Sequence, residues 1–484
     1  MIPGPVPEEA MTIRFYNTMT RTKEAFQPLE PGKATMYHCG PTVYMQASIG
    51  NFRAFLLGDL LRRHLEYRGF QVKQVMNITD VGHMTDDDED QGRDKMEESA
   101  KAEKLDPLQI ARKYEELFFK DLDTLGIRRA HVYPRATEHI GDMQRMISVL
   151  LEKGLAYEVE GNVFFDISKF PAYGRLSGKN LDELVQGARV EINPLKRDPR
   201  DFALWKVDPH HLMQWDSPWG RGFPGWHIEC SAMSIRHLGP RIDFHTGGED
   251  NIFPHHECEI AQSEGYTGES PFVRTWLHVR HLLVDGGKMS KSLGNVYTVP
   301  DLLARGYTGP EIRWALMRVH YRQNLNFTLK GMEDVRSALS RVRECRFRLE
   351  EIAAGRAPAG ADPVEDLCAR AREEIFGSLD DDLDIAGAQA GLFGLVSAAN
   401  RAEPSRKGAE EILQVFREVE EVLGIPGSAP GAEGPPREVL ELAARRQEAR
   451  KAKDFAEADR LRDRIQALGW KVIDTPQGPR FSKA

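Results

Sequence analysis

The stretch "DGGKMSKSLGN" (285–295) places Lys288 and Lys291 beside Ser290 and Ser292, just after a Gly-Gly turn. A lysine ammonium is a point charge suited to phosphate oxygens, and flanking glycines let such a loop close over a ligand. The bland alternative is a polar surface hairpin, which accounts for most loops of this kind. A second anion-seeking stretch is "CGPTVYMQASIGN" (39–51). It passes through Gly40, Pro41 and Thr42 and reaches Ser48, Gly50 and Asn51 at the mouth of a helix. Free N–H groups and the helix dipole favour an anion there, and Gly50 allows close approach to the backbone. A third group has metal-binding chemistry: Cys39, Cys230 in "GWHIECSAM", and His255, His256, Glu257, Cys258 and Glu259 in "FPHHECE". On a helix, 255 shares a face with both 258 and 259. Two thiolates, an imidazole and either Glu259 or Cys258 make a Zn²⁺-type donor set. Cys345 and Cys368 carry no such company and read as core residues.

The elements that must hold these groups alternate between strand and helix in the first half. Phe52, Phe55, Leu56, Leu60 and Leu65 recur at helical spacing over 52–68, with Gly69 as the C-terminal stop. The strand-like "FQVKQVMNI" follows, so residues 34–78 form a β-loop-α-β unit of the kind that builds a parallel sheet. "DDDED" (86–90) reads as a solvated loop. Asp106-Pro107 opens a helix that runs to about Leu125. From 141 to 225 turn residues multiply and short strands such as "GNVFFDI" appear, the texture of an inserted subdomain. The α/β pattern returns from Trp226, with "TWLHVRHLLV" (275–284) as a strand. Beyond 310 nearly everything reads as helical, broken by linkers at 353–362 and 424–436.

The 484 residues suffice for three or so domains. No apolar run is long enough to cross a bilayer, and the first residues lack the basic start and apolar core of a signal peptide. Five cysteines in a chain of this length do not make a disulfide framework, which favours reduced thiols in the cytoplasm. A net charge of −9 argues against a protein that coats nucleic acid indiscriminately. Residues 437–484 nevertheless hold 12 Lys/Arg against 8 Asp/Glu, which suggests a partner surface.

The string Lys288-Met289-Ser290-Lys291-Ser292 resembles the signature loop of class I aminoacyl-tRNA synthetases. There it pairs with a His-Ile-Gly-His-type motif at a helix mouth, where this chain has Ser48-Ile49-Gly50-Asn51. "CGPTVY", "GWHIECSAM", "FPHHECE", "NITDV" (77–81), "PRATEHI" (134–140), "DFALWK" (201–206) and "KDFAEADRLRDRIQALGW" narrow the likeness to the cysteinyl-tRNA synthetase family. It spans nearly the whole chain. The resemblance implies a Rossmann-like parallel-sheet catalytic domain in two halves, 1–140 and 226–310, around an inserted subdomain at 141–225. A stem-contact region and helical bundle (311–423) and a small anticodon-binding domain (437–484) would follow.

Further implications are residue by residue. Zn²⁺ would be held by Cys39, Cys230, His255 and Glu259, one ion per chain. ATP with Mg²⁺ would lie on Gly40, Pro41, Thr42, Ser48, Gly50, Asn51, His245, Lys288 and Lys291. Substrate cysteine would meet Thr79 and Trp226, with Asp250 on its ammonium, and Trp470 and Asp474 would read the tRNA(Cys) anticodon. The expected reaction is ATP-dependent activation of L-cysteine and its transfer to tRNA, by a monomer. Cysteine and serine differ by one atom, and pocket contacts separate near-isosteres poorly. A metal position open to the thiolate could supply the ~5 kcal/mol needed for roughly 10⁴-fold rejection of serine. Ser48 departs from the family's usual histidine, yet it keeps a hydroxyl donor. Two rivals are a ligase of the same fold joining cysteine to an amino sugar, which would lack the tail after 436, and a non-catalytic tRNA-binding paralogue.

Overall fold

Four parallel strands organise the α/β body in this computed structural model, which describes residues 12–82, 84–86, 91–179, 193–290, 294–425, 437–475 and 478–483. They are β1 (Lys33–His38), β2 (Gln71–Met76), β3 (Ile242–Gly248) and β4 (Val273–Val279). Their spatial order is β4-β3-β1-β2, with Tyr37 beside both Val75 and His245. Parallel neighbours need a crossover, and helix α1 (Ile49–Tyr67) supplies it between β1 and β2. Its expected apolar positions Phe52, Phe55, Leu56, Leu60 and Leu65 are all buried.

Successive side chains on β1 point to opposite faces. Ala34 and Met36 join the core under α1, while Tyr37 joins the opposite core with Ile242 and Trp276. Helices α2 (Trp226–Leu238) and α3 (His255–Thr267) pack together on that second face, so both faces are covered as a parallel sheet requires.

Two stretches before residue 310 differ from the sequence reading. Within 141–225, the helix Ile140–Glu152 packs on α2 and α3 and so belongs to the α/β body. Met143, Met146, Ile147 and Leu150 give it a helical apolar stripe that the turn-rich composition downstream obscured. The rest of the insertion contains a four-stranded antiparallel sheet of Ala156–Val159, Asn162–Phe165, Phe202–Lys206 and Phe223–Pro224. The run 275–284 is two strands rather than one. β4 ends at Val279, and Leu282–Val284 pairs instead with Gly287–Lys288 and Leu325–Phe327. Arg53 from α1 donates to the carbonyls of Arg280 and His281 at the break between them.

After 328 come α4 (Leu329–Ala353), α5 (Glu365–Asp380), α6 (Ile385–Arg401) and α7 (Arg406–Leu423). The last segment has its own small core of Val439, Leu442, Ala443, Leu461 and Ile465, from helices Arg437–Lys451 and Phe455–Ala467. It closes with a hairpin of Trp470–Thr475 and Gly478–Lys483, so the region beyond 310 is not helical throughout. "DDDED" lies mostly outside the described residues; Asp86 ends the short strand Met84–Asp86. Among the described residues no helix is long and apolar enough to cross a membrane. All five cysteines are free thiols.

One polar node ties these parts together. Asp59 of α1 accepts from Arg63 at 2.8 Å, from Arg313 at 2.6 Å and from the Arg128 N–H at 2.9 Å. Arg313 also donates to the Leu423 carbonyl at 2.7 Å, and Arg63 to the Glu421 carbonyl at 2.8 Å, capping the end of α7. Burial alone would raise the Asp59 pKa, but the Arg313 and Arg63 guanidiniums outweigh it and hold the carboxyl below its usual range. Asp59→Ala leaves two buried cations without their counter-charge, and chemical denaturation should show a loss of about 3–5 kcal/mol. A depressed folded-state pKa gives stability that is present above the unfolded value of about 3.9 and lost as pH falls below it. Asp59→Asn should therefore flatten the acid limb of the stability profile below about pH 4, and an unchanged limb would contradict the ion-pair account.

Candidate active site and metal centre

Cys39 follows β1, Cys230 lies in α2, and His255 and Glu259 lie one turn apart at the start of α3. Parallel topology brings these three chain segments to one end of the sheet. Their ligand atoms all lie within 4.8 Å of one another. Cys230, His255 and Glu259 are buried, and Cys39 is partly exposed. His255 Nε2 stands 3.1 Å from Glu259 Oε1, and Cys39 Sγ stands 3.8 Å from the same oxygen. Zn–ligand bonds of about 2.0–2.3 Å in a tetrahedron put donors roughly 3.3–3.8 Å apart, so the set fits that ion in kind and in spacing. Cys258 does not join it. Its thiol faces the Tyr173 hydroxyl at 3.3 Å, within the second core.

Two further histidines crowd the same carboxylate: His256, which the sequence places in the donor-rich string but not in the ligand set, and His245, which the resemblance gives to the nucleotide. Cys39, His245, His256 and Glu259 form a second set within 4.8 Å. His245 Nε2 lies 2.9 Å from Glu259 Oε2, and its ring stacks on Trp276. His256 Nε2 lies 3.3 Å from Cys39 Sγ, while its Nδ1 meets His278 Nε2 at 2.7 Å. The doubled histidine in "HHECE" was the available signal for His256. Burial foremost, with the His245 and His278 rings beside it, drives the His256 pKa far down and keeps that ring neutral. Burial also opposes ionisation of Glu259, but His245 and His255 hold its carboxyl low. In return, Cys230 and Glu259 hold the His255 ring above its ordinary value despite burial.

At the mouth of α1 the Ser48 hydroxyl and Ser48 N–H both donate to Asn51 Oδ1, at 2.7 and 3.0 Å. That double contact fixes the Asn51 amide. A Cβ at Gly50 would come within 2.9 Å of the Met289 methyl, so the lysine loop packs directly on this helix mouth. Lys288 is exposed at the hairpin end, and Lys291 lies outside the described residues. Asn295, which the sequence reading did not single out, draws the loop ends together. It accepts from Ser290 N–H at 2.9 Å and donates to the Lys288 carbonyl at 3.1 Å. His38 is turned away from Cys39, against Gly58 in the middle of α1, and does not stand in for a histidine at 48.

The loop 40–43 is zipped to 77–79: Thr79 N–H donates to the Pro41 carbonyl, and Thr42 bridges Thr79. Trp226 opens α2 with its ring 4.5 Å from that of His255. Asp250 is not drawn in; its side chain is 83% exposed, 3.5 Å from His281. In the last segment Trp470 packs against the small helical core, and the Asp474 backbone pairs with Pro479.

The profile of the tRNA synthetases class I (C) catalytic domain matches residues 25–337. A DALR domain matches 377–426, and the cysteinyl-tRNA ligase anticodon binding domain matches 433–478. The cysteine–tRNA ligase of Symbiobacterium thermophilum is 46% identical over 98% of this chain and all of its own. That of Thermus thermophilus is 42% identical over 97% and 99%. This chain belongs to the cysteine–tRNA ligase family. The fold extends more widely. Mycobacterium tuberculosis methionyl-tRNA synthetase bound by methionyl-adenylate superposes with a TM-score of 0.61 at 15% identity, covering 84% of this chain and 95% of that one. The family's synthetase core thus contains both the helix mouth with its lysine loop and the sulfur-rich cluster.

Proposed function

We infer that the chain activates L-cysteine with ATP and transfers the cysteinyl group to tRNA(Cys). The observation that carries this reading is the sulfur-rich donor set buried in the same α/β body whose helix mouth lies under a lysine loop. In the first step the cysteine carboxylate attacks the α-phosphorus of ATP, and pyrophosphate leaves. In the second a terminal ribose hydroxyl of tRNA attacks the acyl carbon, and AMP leaves. Lys288, Lys291 and the amides at the mouth of α1 offset the phosphate charge, with Mg²⁺ bound to the nucleotide, and the Asn51 amide orients it. Thr79 and Trp226 border the amino-acid side, and Trp470 and Asp474 serve the anticodon.

Cys39, Cys230, His255 and Glu259 would hold Zn²⁺, with His245 and His256 packed behind them. Such an ion supplies a soft acceptor that suits a thiolate and not a serine hydroxyl. The match of 433–478 to an anticodon domain favours tRNA over an amino sugar as acyl acceptor.

Metal analysis of the purified chain should find one Zn²⁺ per chain and very little in Cys230→Ala; full zinc in that variant would remove the site. Cysteine-dependent ATP–pyrophosphate exchange should survive in a chain ended near residue 430, while charging of tRNA with cysteine falls sharply. Intact charging would show that the last segment does not serve tRNA. Ser48→Ala releases one of two bonds that hold Asn51. A hydrogen bond between neutral groups contributes about 0.5–1.5 kcal/mol, so single-turnover adenylate formation should slow roughly 2- to 13-fold. Cysteine affinity should hardly change. A rate equal to that of the unaltered chain would mean the Ser48 amide alone positions Asn51.

A further inference from the structure

A directed chain of hydrogen bonds runs beside the sulfur cluster and is not used by it. Gly40 N–H donates to Asn77 Oδ1 at 2.8 Å, which fixes the orientation of that amide. Asn77 Nδ2 therefore faces Thr79 and donates to its Oγ1 at 3.1 Å. The Thr79 hydroxyl in turn donates to Glu229 Oε2 at 2.8 Å. Asn77 and Thr79 are each 2% exposed and Glu229 is fully buried. The chain leaves little freedom. A hydroxyl has one proton and two acceptor positions. The Thr79 proton is committed to Glu229, and one acceptor position is filled by Asn77. What remains is a single lone pair, which can receive a donor and cannot offer one.

We propose that Glu229 is a positioning residue that fixes the Thr79 hydroxyl as the acceptor for the ammonium group of the amino-acid substrate. The inference rests on the reading of cysteine as that substrate. The network starts at the residue after Cys39 and ends at the residue before Cys230, so it borders the cluster taken to receive the thiol. A carboxylate behind the hydroxyl adds opposite charge where little water screens it, which favours a cation over a neutral donor. Asp250, the acid that the family pattern assigns to the ammonium, is largely in solvent here and lacks that advantage. The same network also joins the loop after β1 to α2, so a purely structural role is the alternative to be separated.

Three small thiols separate them: L-cysteine, cysteamine, which keeps the ammonium but lacks the carboxylate, and 3-mercaptopropionate, which lacks the ammonium. Their binding to the full chain is measured by calorimetry, with zinc content determined on each sample. Glu229→Gln and Thr79→Val should weaken L-cysteine and cysteamine roughly 10- to 100-fold and leave 3-mercaptopropionate within about twofold. Thr79→Ser keeps the hydroxyl and should recover the affinity to within about threefold. The threonine pair carries the test alone should Glu229→Gln fail to fold. Equal weakening of all three thiols would mean a structural link and overturn the assignment. So would an ammonium-selective loss in Asp250→Asn that Glu229→Gln does not share. An unaltered chain that binds 3-mercaptopropionate but not L-cysteine any better would show that no ammonium site exists. One that binds none of the three would overturn the cysteine reading itself.

Discussion

Helix α1 carries four buried or nearly buried polar side chains, and the architecture depends on what they grip. Arg53, Asp59, Arg63 and His64 would each be costly to bury alone. Each is instead partnered by a segment distant in sequence. Arg53 reaches the carbonyls at 280, 281, 320 and 323, Asp59 takes Arg313, Arg63 takes the end of α7, and His64 meets Asp380 at the end of α5. Breaking one partnership strands a desolvated group, so the partners hold a narrow set of geometries. The helix that presents Ser48 and Asn51 at one end is thus fixed along its length to the bundle that follows the α/β body.

The sulfur cluster obeys the same rule in a smaller space. Glu259 has no exposure, and a carboxylate there requires donors on both oxygens. His245 serves one oxygen and His255 the other. The His255 ring is itself held by His227 at 2.9 Å, and the neighbouring His256 is held through His278, which reaches Thr18 at 2.8 Å. Such outer partners fix which ring nitrogen faces a metal, and they govern affinity as much as the ligands do. The imidazoles come from α2, α3, β3 and β4, so the centre can form only once the sheet is assembled.

Much of this was legible in the residues. The β-loop-α-β unit followed from the spacing of Phe52 to Leu65, and the start of the helix at Pro107 followed from Asp106-Pro107. Donor types made Cys39, Cys230 and His255 candidates and left Glu259 and Cys258 open; the family resemblance favoured Glu259, and the structure groups Glu259 with them. Helical spacing allows both, and only packing turns the Cys258 thiol toward Tyr173. His256 was named only as part of the donor-rich string and His245 was given to the nucleotide, because a histidine in a strand or a helix does not show which group it faces until its neighbours are known. The split of 275–284 was hidden for a similar reason. Nothing local in "TWLHVRHLLV" marks a break, and the Arg53 side chain that grips the carbonyls there comes from more than two hundred residues away.

Gly50 draws these threads together. A glycine at a helix mouth is usually explained by the close approach of a ligand. The structure adds a second demand, since Met289 of the lysine loop already fills the space a Cβ would take. The Ile49 N–H is bonded to the Tyr297 carbonyl at 2.9 Å, and Ser48 bridges Thr298, so the chain is tied down on the far side of the loop as well. Lysine charge is useful to a phosphate only if the loop returns to one place, and a long flexible side chain cannot ensure that by itself. Its return is set by Asn295 across the loop, by Met289 on Gly50, and by the anchoring of 297–298 to α1. The helix is in turn held by its buried polar grips, so the backbone that carries Lys288 is positioned by packing well outside the site.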